Sequence, residues 1–253
     1  MSDFDKIVCQ SIDVIGWGDA NQIFNKSYLN IFLIDIDHHL IHLDHLFTLL
    51  SDDEKEASKK YRLIRDRQKY IVSKAIRRNI LSQYLEMEPQ TLSYFINDFK
   101  KPYIVSEEAL YFSVSYSGQY IAMAFHSNEI GLDIEILSNS FDYETISGQV
   151  FSEDERLSIN EASERAKQFY TLWTRKEALI KATAQGIDDY FTQIPSLTGL
   201  HYLPKSILHK NSDYVIGTSL ILDNILLSIA FSSNGESTPN KINLYNWSNI
   251  LTN

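Results

Sequence analysis

Two stretches decide how this chain is organised: IGLDIE at residues 130–135 and FYTLWTRKEALIK at residues 169–181. The first alternates apolar and acidic residues, so as a β-strand it places Asp133 and Glu135 side by side on one face. The second has helical spacing and places Glu177 at the margin of its apolar arc. The sequence therefore predicts a strand and a helix that together carry three acids.

Each of these acids also has a simpler interpretation. Asp133 and Glu135 are compatible with the solvent side of an edge strand. Glu177 has the spacing for an ion pair with Lys181, worth ~0.2–0.5 kcal/mol on a helix surface. However, a carboxylate near the buried arc of Trp173 needs a stronger partner than a hydrated lysine. Because Mg²⁺ is held by few carboxylates together with water and phosphate, the three acids form a candidate magnesium site.

Composition excludes several classes of protein. The chain has 253 residues and a net charge of -10, which argues against a general nucleic-acid binder. Cys9 is the single cysteine, so neither an internal disulfide nor a cysteine metal cluster can form. The start of the chain is neither a signal peptide nor a membrane span. We expect a soluble cytoplasmic protein without a membrane partner.

Hydrophobic periodicity predicts an α+β fold made of two similar halves, residues 1–128 and 129–253. Ser51 with Glu54 three residues later has the form of a capping box, and Ser152 with acids in the next turn marks a second helix start. Gly186 is a predicted helix C-cap. The remaining expected elements are, in chain order, a buried strand at 30–37, helices over 43–85, a hairpin at 110–125, a strand at 130–136, a helix ending near 184, a hairpin at 218–231 and a strand at 241–245.

The helical region over residues 62–85 carries a basic face in an otherwise acidic chain. A solvated helix face is the common explanation of such a pattern, and an anion site is the alternative. The basic residues are Arg65, Arg67, Lys69, Lys74, Arg77 and Arg78.

Four histidines lie close together in the sequence, at His38, His39, His42 and His45. Spacings of three and four favour one helix face and raise the possibility of a zinc metallohydrolase. We favour a solvated loop, because apolar residues lie between the histidines and no H-E-x-x-H motif follows. The sequence also lacks a glycine-rich phosphate loop and the G-x-S-x-G motif of serine hydrolases.

The two opening stretches together resemble the 4′-phosphopantetheinyl transferases of the larger, surfactin-synthetase type. The resemblance rests on G-x-D-x-E at residues 131–135 and W-x-x-K-E-A-x-x-K at residues 173–181. It extends from about residue 31 to about residue 200. It implies two α+β halves related by a pseudo-twofold axis, with coenzyme A between them. It also implies transfer of the phosphopantetheine arm to a serine of an apo acyl or peptidyl carrier protein by a monomer, with release of 3′,5′-ADP.

The resemblance also implies roles for individual residues. Asp133, Glu135 and Glu177 would ligate Mg²⁺, and Glu177 would also accept the proton of the serine, directly or through a water molecule. Lys181 would act at the phosphates. The remaining implied coenzyme A contacts are Lys69, Lys101, Ser115 and Tyr116.

Three positions depart from the family pattern. Tyr116 stands where the family has histidine, and a neutral hydroxyl cannot offset phosphate charge. Lys100 replaces a glycine, and Lys69 replaces an arginine that would bind phosphate bidentately. These departures leave a second possibility open, namely a non-catalytic or weakened relative that binds coenzyme A or the carrier.

Overall fold

The structure is a computed structural model. It describes residues 3–12, 16–17, 23–25, 28–138, 140, 142, 144–184, 190–208, 210, 212–233 and 242–247. The expected C-cap at Gly186 lies outside these residues. The long helix instead reaches its left-handed capping residue at Ala184, with φ of 58°. In the described part of the chain, no helix combines the length and apolarity needed to cross a bilayer.

Strands form two sheets of five strands and one short hairpin. The strands are β1 Phe4–Ser11, β2 Gly16–Trp17, β3 Leu29–Asp35, β4 Tyr94–Ile96, β5 Pro102–Ile104, β6 Tyr111–Ser117, β7 Tyr120–His126, β8 Ile130–Ile136, β9 Gly199–Pro204, β10 Tyr214–Ile221, β11 Ile225–Ser232 and β12 Ile242–Asn246. The first sheet has the order β8-β11-β10-β1-β9 and the second has the order β2-β12-β3-β7-β6.

Two long helices, α4 and α7, and several shorter helices accompany the sheets in the described part of the chain. The α-helices are α1 Ile36–His39, α2 Leu43–Thr48, α3 Asp52–Ser58, α4 Ile64–Leu85, α5 Glu144–Val150, α6 Glu153–Glu161, α7 Arg165–Thr183 and α8 Lys205–Leu208. Short 3₁₀ turns occupy Leu40–His42, Pro89–Thr91 and Phe191–Gln193. The capping box predicted at Ser51 and the helix start predicted at Ser152 are confirmed, and Ser152 also forms a capping box, with Glu155.

The two halves share one structural unit. In each, a strand is followed by a long helix and then by a hairpin whose second strand pairs antiparallel with the first strand. The unit is β3, α4, β6 and β7 in one half, and β8, α7, β10 and β11 in the other. The predicted α+β class with two similar halves is therefore confirmed.

The first and last described strands each join the sheet of the other half. β1 pairs in parallel with β10, with Ile7 opposite Tyr214. β12 pairs in parallel with β3, with Ile242 opposite Leu29. Sequence analysis found neither β1 nor β9. In β1 every second residue from Asp5 to Cys9 is buried. Because Asp5 is an acid, the alternation of buried positions is not visible as an alternation of apolar residues.

Candidate active site at the junction of the sheets

A row of serines joins the edges of the two sheets. Side chains of β6 take the place of a backbone partner for β8: the hydroxyl oxygens of Ser113, Ser115 and Ser117 accept hydrogen bonds from alternate N–H groups of β8, at 2.9, 3.3 and 2.9 Å. The three serines recur every second residue because side chains on one face of a strand have that period. The predicted acids therefore lie at the junction of the halves.

Two of these serines also donate to the acids of β8. Ser115 Oγ lies 2.7 Å from Asp133 Oδ1, and Ser117 Oγ lies 2.8 Å from Glu135 Oε2. Since a hydroxyl has one proton, donation to the carboxylate and acceptance from the backbone fix its orientation. The row thus sets the positions of both carboxylates, and Ser117 is a site residue that sequence analysis missed.

Lys181 pairs with the acid on the strand. Its Nζ lies 2.6 Å from Asp133 Oδ1 and 3.1 Å from Ser115 Oγ. The structure thus pairs Lys181 with Asp133 of β8, rather than with Glu177 four residues earlier as considered from the sequence. Asp133 is 4% exposed, and its second oxygen, Oδ2, is buried without a hydrogen-bond partner. One oxygen of Asp133 therefore stays open to a further cation.

Glu177 faces the same group of charges from α7. Burial and the negative charge of Asp133 raise the pKa of Glu177 to about 7, and Lys181 opposes this shift. Burial likewise raises the pKa of Glu135, while the hydrogen bond from Ser117 opposes it. The three acids are thus close enough to affect one another's titration. However, within the described ranges no three acidic, histidine or cysteine side chains form a metal-binding group.

A cavity of about 400 Å³, which we call the junction cavity, opens beside Glu177. Its charged lining contains five basic residues and one acid, although the chain as a whole is acidic. The structure thus brings Lys101, Tyr116, Glu177 and Lys181 to one cavity. Its lining is Lys74, Arg77, Phe99, Lys100, Lys101, Pro102, Phe112, Ser113, Val114, Tyr116, Glu177, Ile180, Lys181 and Ala184.

A second cavity of about 380 Å³, which we call the helix cavity, lies along α4. Lys69 lies here, with its Nζ 5.0 Å from the centre of the Tyr116 ring. Tyr116 also shares a hydrogen bond with Ser73. The helix cavity is lined by Tyr61, Asp66, Lys69, Tyr70, Ser73, Lys74 and Tyr116, so Lys74 and Tyr116 belong to both cavities.

The basic face of α4 is exposed at its start, where Arg65 and Arg67 lie, and buried further along the helix. Arg77 and Arg78 are 6% and 3% exposed, and both contact Glu54, the acid of the first capping box. Arg78 also donates to the carbonyl oxygens of Pro89 and Leu92. The solvated-face interpretation is therefore wrong for this part of the helix.

The ammonium group of Lys101 binds the backbone of both β8 and α7. Its Nζ donates to the carbonyl oxygens of Lys181 at 2.6 Å and of Ile130 at 3.1 Å. Burial lowers the pKa of Lys101 to about 8. The lysine implied as a coenzyme A contact thus lines the junction cavity while its donors point at α7 and β8.

We expect Lys101→Met to lower the free energy of unfolding by ~1–3 kcal/mol, because two carbonyl groups lose their donor. Urea denaturation measures this loss. The neighbouring Lys100→Met is the control, since Lys100 is exposed and its loss should change stability by less than ~0.5 kcal/mol. Equal stability of the two variants would contradict a structural role for Lys101.

The glycine of the first motif lets β8 approach α7. A Cβ at Gly131 would collide with the backbone of Ala178, Lys181 and Ala182. No L-residue with a side chain fits against that helix backbone without moving it. Gly131 therefore sets the distance between the strand that carries Asp133 and the helix that carries Glu177.

Gly131→Ala should destabilise the protein by ~1–3 kcal/mol, towards the upper end, because backbone atoms cannot yield as a side chain would. The matched control is Gly148→Ala in α5, where a Cβ would meet nothing within 4 Å. That substitution should be neutral or slightly stabilising. Thermal unfolding of both variants tests the difference, and a Gly131→Ala protein as stable as the control would contradict the close approach.

Sequence analysis also missed a buried ion pair behind the site. Lys176 of the second motif is 0% exposed, and its Nζ lies 2.9 Å from Glu155 Oε2. Lys176 also donates to the carbonyl oxygens of Ile194 and Phe191. Glu155 accepts from both the backbone and the hydroxyl of Ser196. The pair ties α6, α7 and the segment near residue 194 together.

The histidine-rich segment is helical, so the loop interpretation is wrong. His38 and His39 close α1, and the following turn and helix carry the other two histidines. His39 is buried, and burial lowers its pKa to about 4. Among the residues with described positions, these histidines form no metal-binding group.

Comparison with known proteins identifies the family. A model described as 4′-phosphopantetheinyl transferase, N-terminal, matches residues 39–128, and the 4′-phosphopantetheinyl transferase superfamily model matches residues 129–210. The two matches meet between residues 128 and 129.

Individual relatives agree with the family models. The chain is 32% identical over 166 residues to a putative 4′-phosphopantetheinyl transferase of Synechocystis, covering 62% of this chain and 68% of that protein. It is 28% identical over 165 residues to the 4′-phosphopantetheinyl transferase HetI of Nostoc, covering 63% and 70%. Over 146 residues it is 25% identical to the 4′-phosphopantetheinyl transferase Sfp of Bacillus subtilis, covering 57% and 64%. The chain therefore belongs to the 4′-phosphopantetheinyl transferases, and within that family of enzymes to the Sfp type.

Proposed function

We propose that this enzyme transfers the 4′-phosphopantetheine group of coenzyme A to a serine of an apo acyl or peptidyl carrier protein, with Mg²⁺, and releases 3′,5′-ADP. The observation that carries the proposal is the cluster of Asp133, Lys181 and Glu177, of which Lys181 and Glu177 line the junction cavity. Such a cluster suits a reaction in which a pyrophosphate is cleaved and a hydroxyl loses its proton.

The charge of the cavities supports coenzyme A as the donor. Coenzyme A carries a pyrophosphate and a 3′-phosphate, so its binding site needs positive charge. The net charge of the chain, -10, does not by itself indicate such a site. The junction cavity supplies five basic residues, and the helix cavity supplies Lys69 and Lys74. Each volume, about 400 and 380 Å³, lies within the ~300–1,000 Å³ of ligand pockets.

The donor set supports magnesium. Carboxylate oxygens are the ligands that Mg²⁺ prefers, and Asp133 Oδ2 is a buried oxygen with no hydrogen-bond partner. Asp133, Glu135 and Glu177 would hold the ion. When bound, Mg²⁺ neutralises the charge that develops on the pyrophosphate.

The chain's own residues carry the remaining steps in this proposal. Glu177, with its pKa raised to about 7, accepts the proton of the carrier serine near neutral pH. Lys181 offers its ammonium group to the phosphate from the position it holds beside Asp133. Lys69 offers a cation to the 3′-phosphate in the helix cavity. Ser115 holds Asp133 in place through its hydroxyl.

The division into halves at 128/129 also stays a proposal, with coenzyme A bound between residues 1–128 and 129–253. The junction of the two sheets, where β6 meets β8, supports it. Direct contacts of Lys101, Ser115 and Tyr116 with coenzyme A, a monomeric state and a cytoplasmic location remain predictions.

Mass spectrometry tests the activity directly. The enzyme is incubated with coenzyme A, Mg²⁺ and several apo carrier proteins, and at least one carrier should gain the mass of phosphopantetheine. A carrier whose acceptor serine is replaced by alanine is the control, and EDTA should suppress the reaction. Failure to modify every carrier, together with no binding of coenzyme A, would contradict the proposal.

The weakened relative remains the second candidate because of Tyr116. This residue, in the position of the family histidine, is hydrogen-bonded to Ser73 and lies beneath Lys69. Such a protein would bind coenzyme A or the carrier in calorimetry and would modify the carrier slowly or not at all. Tyr116→His would then raise the transfer rate, whereas a variant no faster than the wild type would contradict this candidate.

A further inference from the structure

A set of buried hydroxyl groups lies between α7 and the sheet, beside the candidate site. Thr218 of β10, Ser228 of β11 and Asp133 of β8 stand opposite one another across three neighbouring strands, so their side chains share one face. Ser228 Oγ lies 2.9 Å from Thr218 Oγ1 and 2.8 Å from Thr174 Oγ1 on α7. Arg175 Nε donates to Thr218 Oγ1 at 2.9 Å. The set joined by these contacts, which we call the hydroxyl bridge, is Arg175, Thr218, Ser228 and Thr174.

The hydrogen bonds of the hydroxyl bridge have a fixed direction, because each hydroxyl has one proton. Thr174 donates to the carbonyl oxygen of Thr171 at 3.3 Å, so Ser228 is the donor towards Thr174. Thr218 is then the donor towards Ser228, and it accepts from Arg175, whose guanidinium can only donate. The hydroxyl bridge therefore runs from α7 through β10 and β11 and back to α7.

Arg175 is a buried cation, 2% exposed, and it forms no ion pair with a carboxylate in the described part of the chain. Its further contacts are the carbonyl oxygen of Ser196 at 2.8 Å and Thr198 Oγ1 at 3.1 Å. The next residue, Lys176, has a buried carboxylate as its partner. Burial of a guanidinium without a counterion has a desolvation cost that neutral acceptors offset only in part. Stability of the fold alone therefore does not explain Arg175.

The close contact between α7 and β8 does little to fix the position of α7 along its own axis. In that contact Gly131 lies against the backbone of Ala178 and Ala182, so no side chain interlocks there. Directional hydrogen bonds of the hydroxyl bridge resist sliding of the helix. Thr174 and Lys181 lie about two turns apart on the same face of α7, so holding Thr174 also holds the stem of Lys181.

We propose that Arg175 is a positioning residue of the candidate site, which sets the axial position of α7 through the hydroxyl bridge. This inference rests on the proposed function. The position of α7 decides where Glu177 and Lys181 lie relative to Asp133, and Lys181 Nζ reaches Asp133 at 2.6 Å. A displacement of ~1 Å at a reacting group can reduce the rate by ~10²-fold. The hydroxyl bridge thus acts on the rate of transfer rather than on the binding of coenzyme A.

Steady-state transfer kinetics of Thr218→Val test this role. Valine resembles threonine in shape but neither accepts from Arg175 nor donates to Ser228. The kcat should fall roughly 10- to 100-fold. The KM for coenzyme A should change by less than about threefold, because most basic residues that line the junction cavity belong to α4 and to the segment before β5. Thr218→Ser keeps the hydroxyl and should restore kcat to within about twofold of the wild type.

Thr198→Val is the matched control. It removes another hydrogen bond of Arg175 and leaves the hydroxyl bridge intact. Its kcat should equal that of the wild type within about twofold. Ser228→Ala removes one oxygen atom from the hydroxyl bridge and should reproduce the loss of Thr218→Val, so it carries the test if Thr218→Val does not fold.

The side-chain ammonium signal of Lys181 in ¹⁵N NMR is a readout that does not depend on transfer. Hydrogen bonds to Asp133 and Ser115 slow the exchange of this ammonium with water, so the wild type should show a signal that Lys181→Met lacks. The signal should persist in Thr218→Ser and should shift or broaden in Thr218→Val.

A wild-type kcat in Thr218→Val, or an equal loss of kcat in Thr198→Val, would overturn the positioning role. If the wild type modifies no carrier protein, the proposed function itself fails. The NMR signal then decides separately, and an unchanged Lys181 signal in Thr218→Val would overturn the link between the hydroxyl bridge and the position of α7.

Discussion

Glu177→Gln should reduce phosphopantetheine transfer by about 10²–10⁴-fold, because the substitution removes the group proposed to accept the serine proton. The amide keeps the shape of the side chain but neither takes up a proton at neutral pH nor ligates Mg²⁺ as a carboxylate does. The initial rate of carrier modification, followed by mass spectrometry at saturating coenzyme A, measures the effect.

A stability measurement separates loss of chemistry from loss of structure. With its pKa raised from 4.5 to about 7, Glu177 keeps a proton in the folded protein that the unfolded chain releases. Its contribution to stability is therefore complete below about pH 4.5 and is lost as the pH rises to about 7. In EDTA at pH 8, Glu177→Gln should melt at or above the wild-type temperature. A wild-type transfer rate in this variant would remove Glu177 from the reaction.

Glu155→Gln should lower the free energy of unfolding by about 3–5 kcal/mol, the cost of leaving a buried charge without its partner. Lys176 would keep its carbonyl acceptors but lose the carboxylate 2.9 Å from its Nζ. Glu155 also accepts from the backbone of Ser152 and from Ser196, so its replacement weakens the start of α6 as well. Chemical denaturation followed by circular dichroism measures the loss.

The exposed pair of Glu164 and Lys167, 3.1 Å apart, provides the matched control. Glu164→Gln should cost less than ~1 kcal/mol, because water already solvates both charges. Burial lowers the pKa of Lys176 and Glu155 opposes this shift, so Glu155→Gln should lower that pKa further. Lys176 then loses its proton at a lower pH in the folded variant than in the wild type, and the defect of Glu155→Gln should shrink as the pH rises. A defect no larger than that of Glu164→Gln would contradict the structural role of the pair.

Local patterns predicted much of the fold. Strand β8 was predicted with its observed bounds, because apolar and acidic residues alternate there without interruption. Helix starts at Ser51 and Ser152 were predicted from short-range capping, which depends on residues three apart. β1 and β9 were missed because their pairing partners are distant in sequence and Asp5 occupies a buried position.

Contacts of the candidate site were predictable where both residues belong to the two motifs. They were not predictable where they depend on how distant segments pack together. The sequence placed Asp133 near Lys181, and the structure joins them at 2.6 Å. It gave no sign that Lys101 would bind backbone carbonyls, since that contact depends on how the two halves meet. The ion pair between Lys176 and Glu155 was not predicted either, because Glu155 lies in another helix and was interpreted only as part of the start of that helix.

The exchange of terminal strands has a consequence for biosynthesis. β3 gains its partner β12 only when residues near Ile242 have left the ribosome, more than two hundred residues after Leu29. β1 waits almost as long for β10, since Ile7 pairs with Tyr214. At ~5–20 residues per second, each strand edge stays open for roughly 10–40 s. The two sheets therefore complete at nearly the same point of synthesis, and a ribosome-bound chain that stops before residue 214 should be far more sensitive to protease than the released protein.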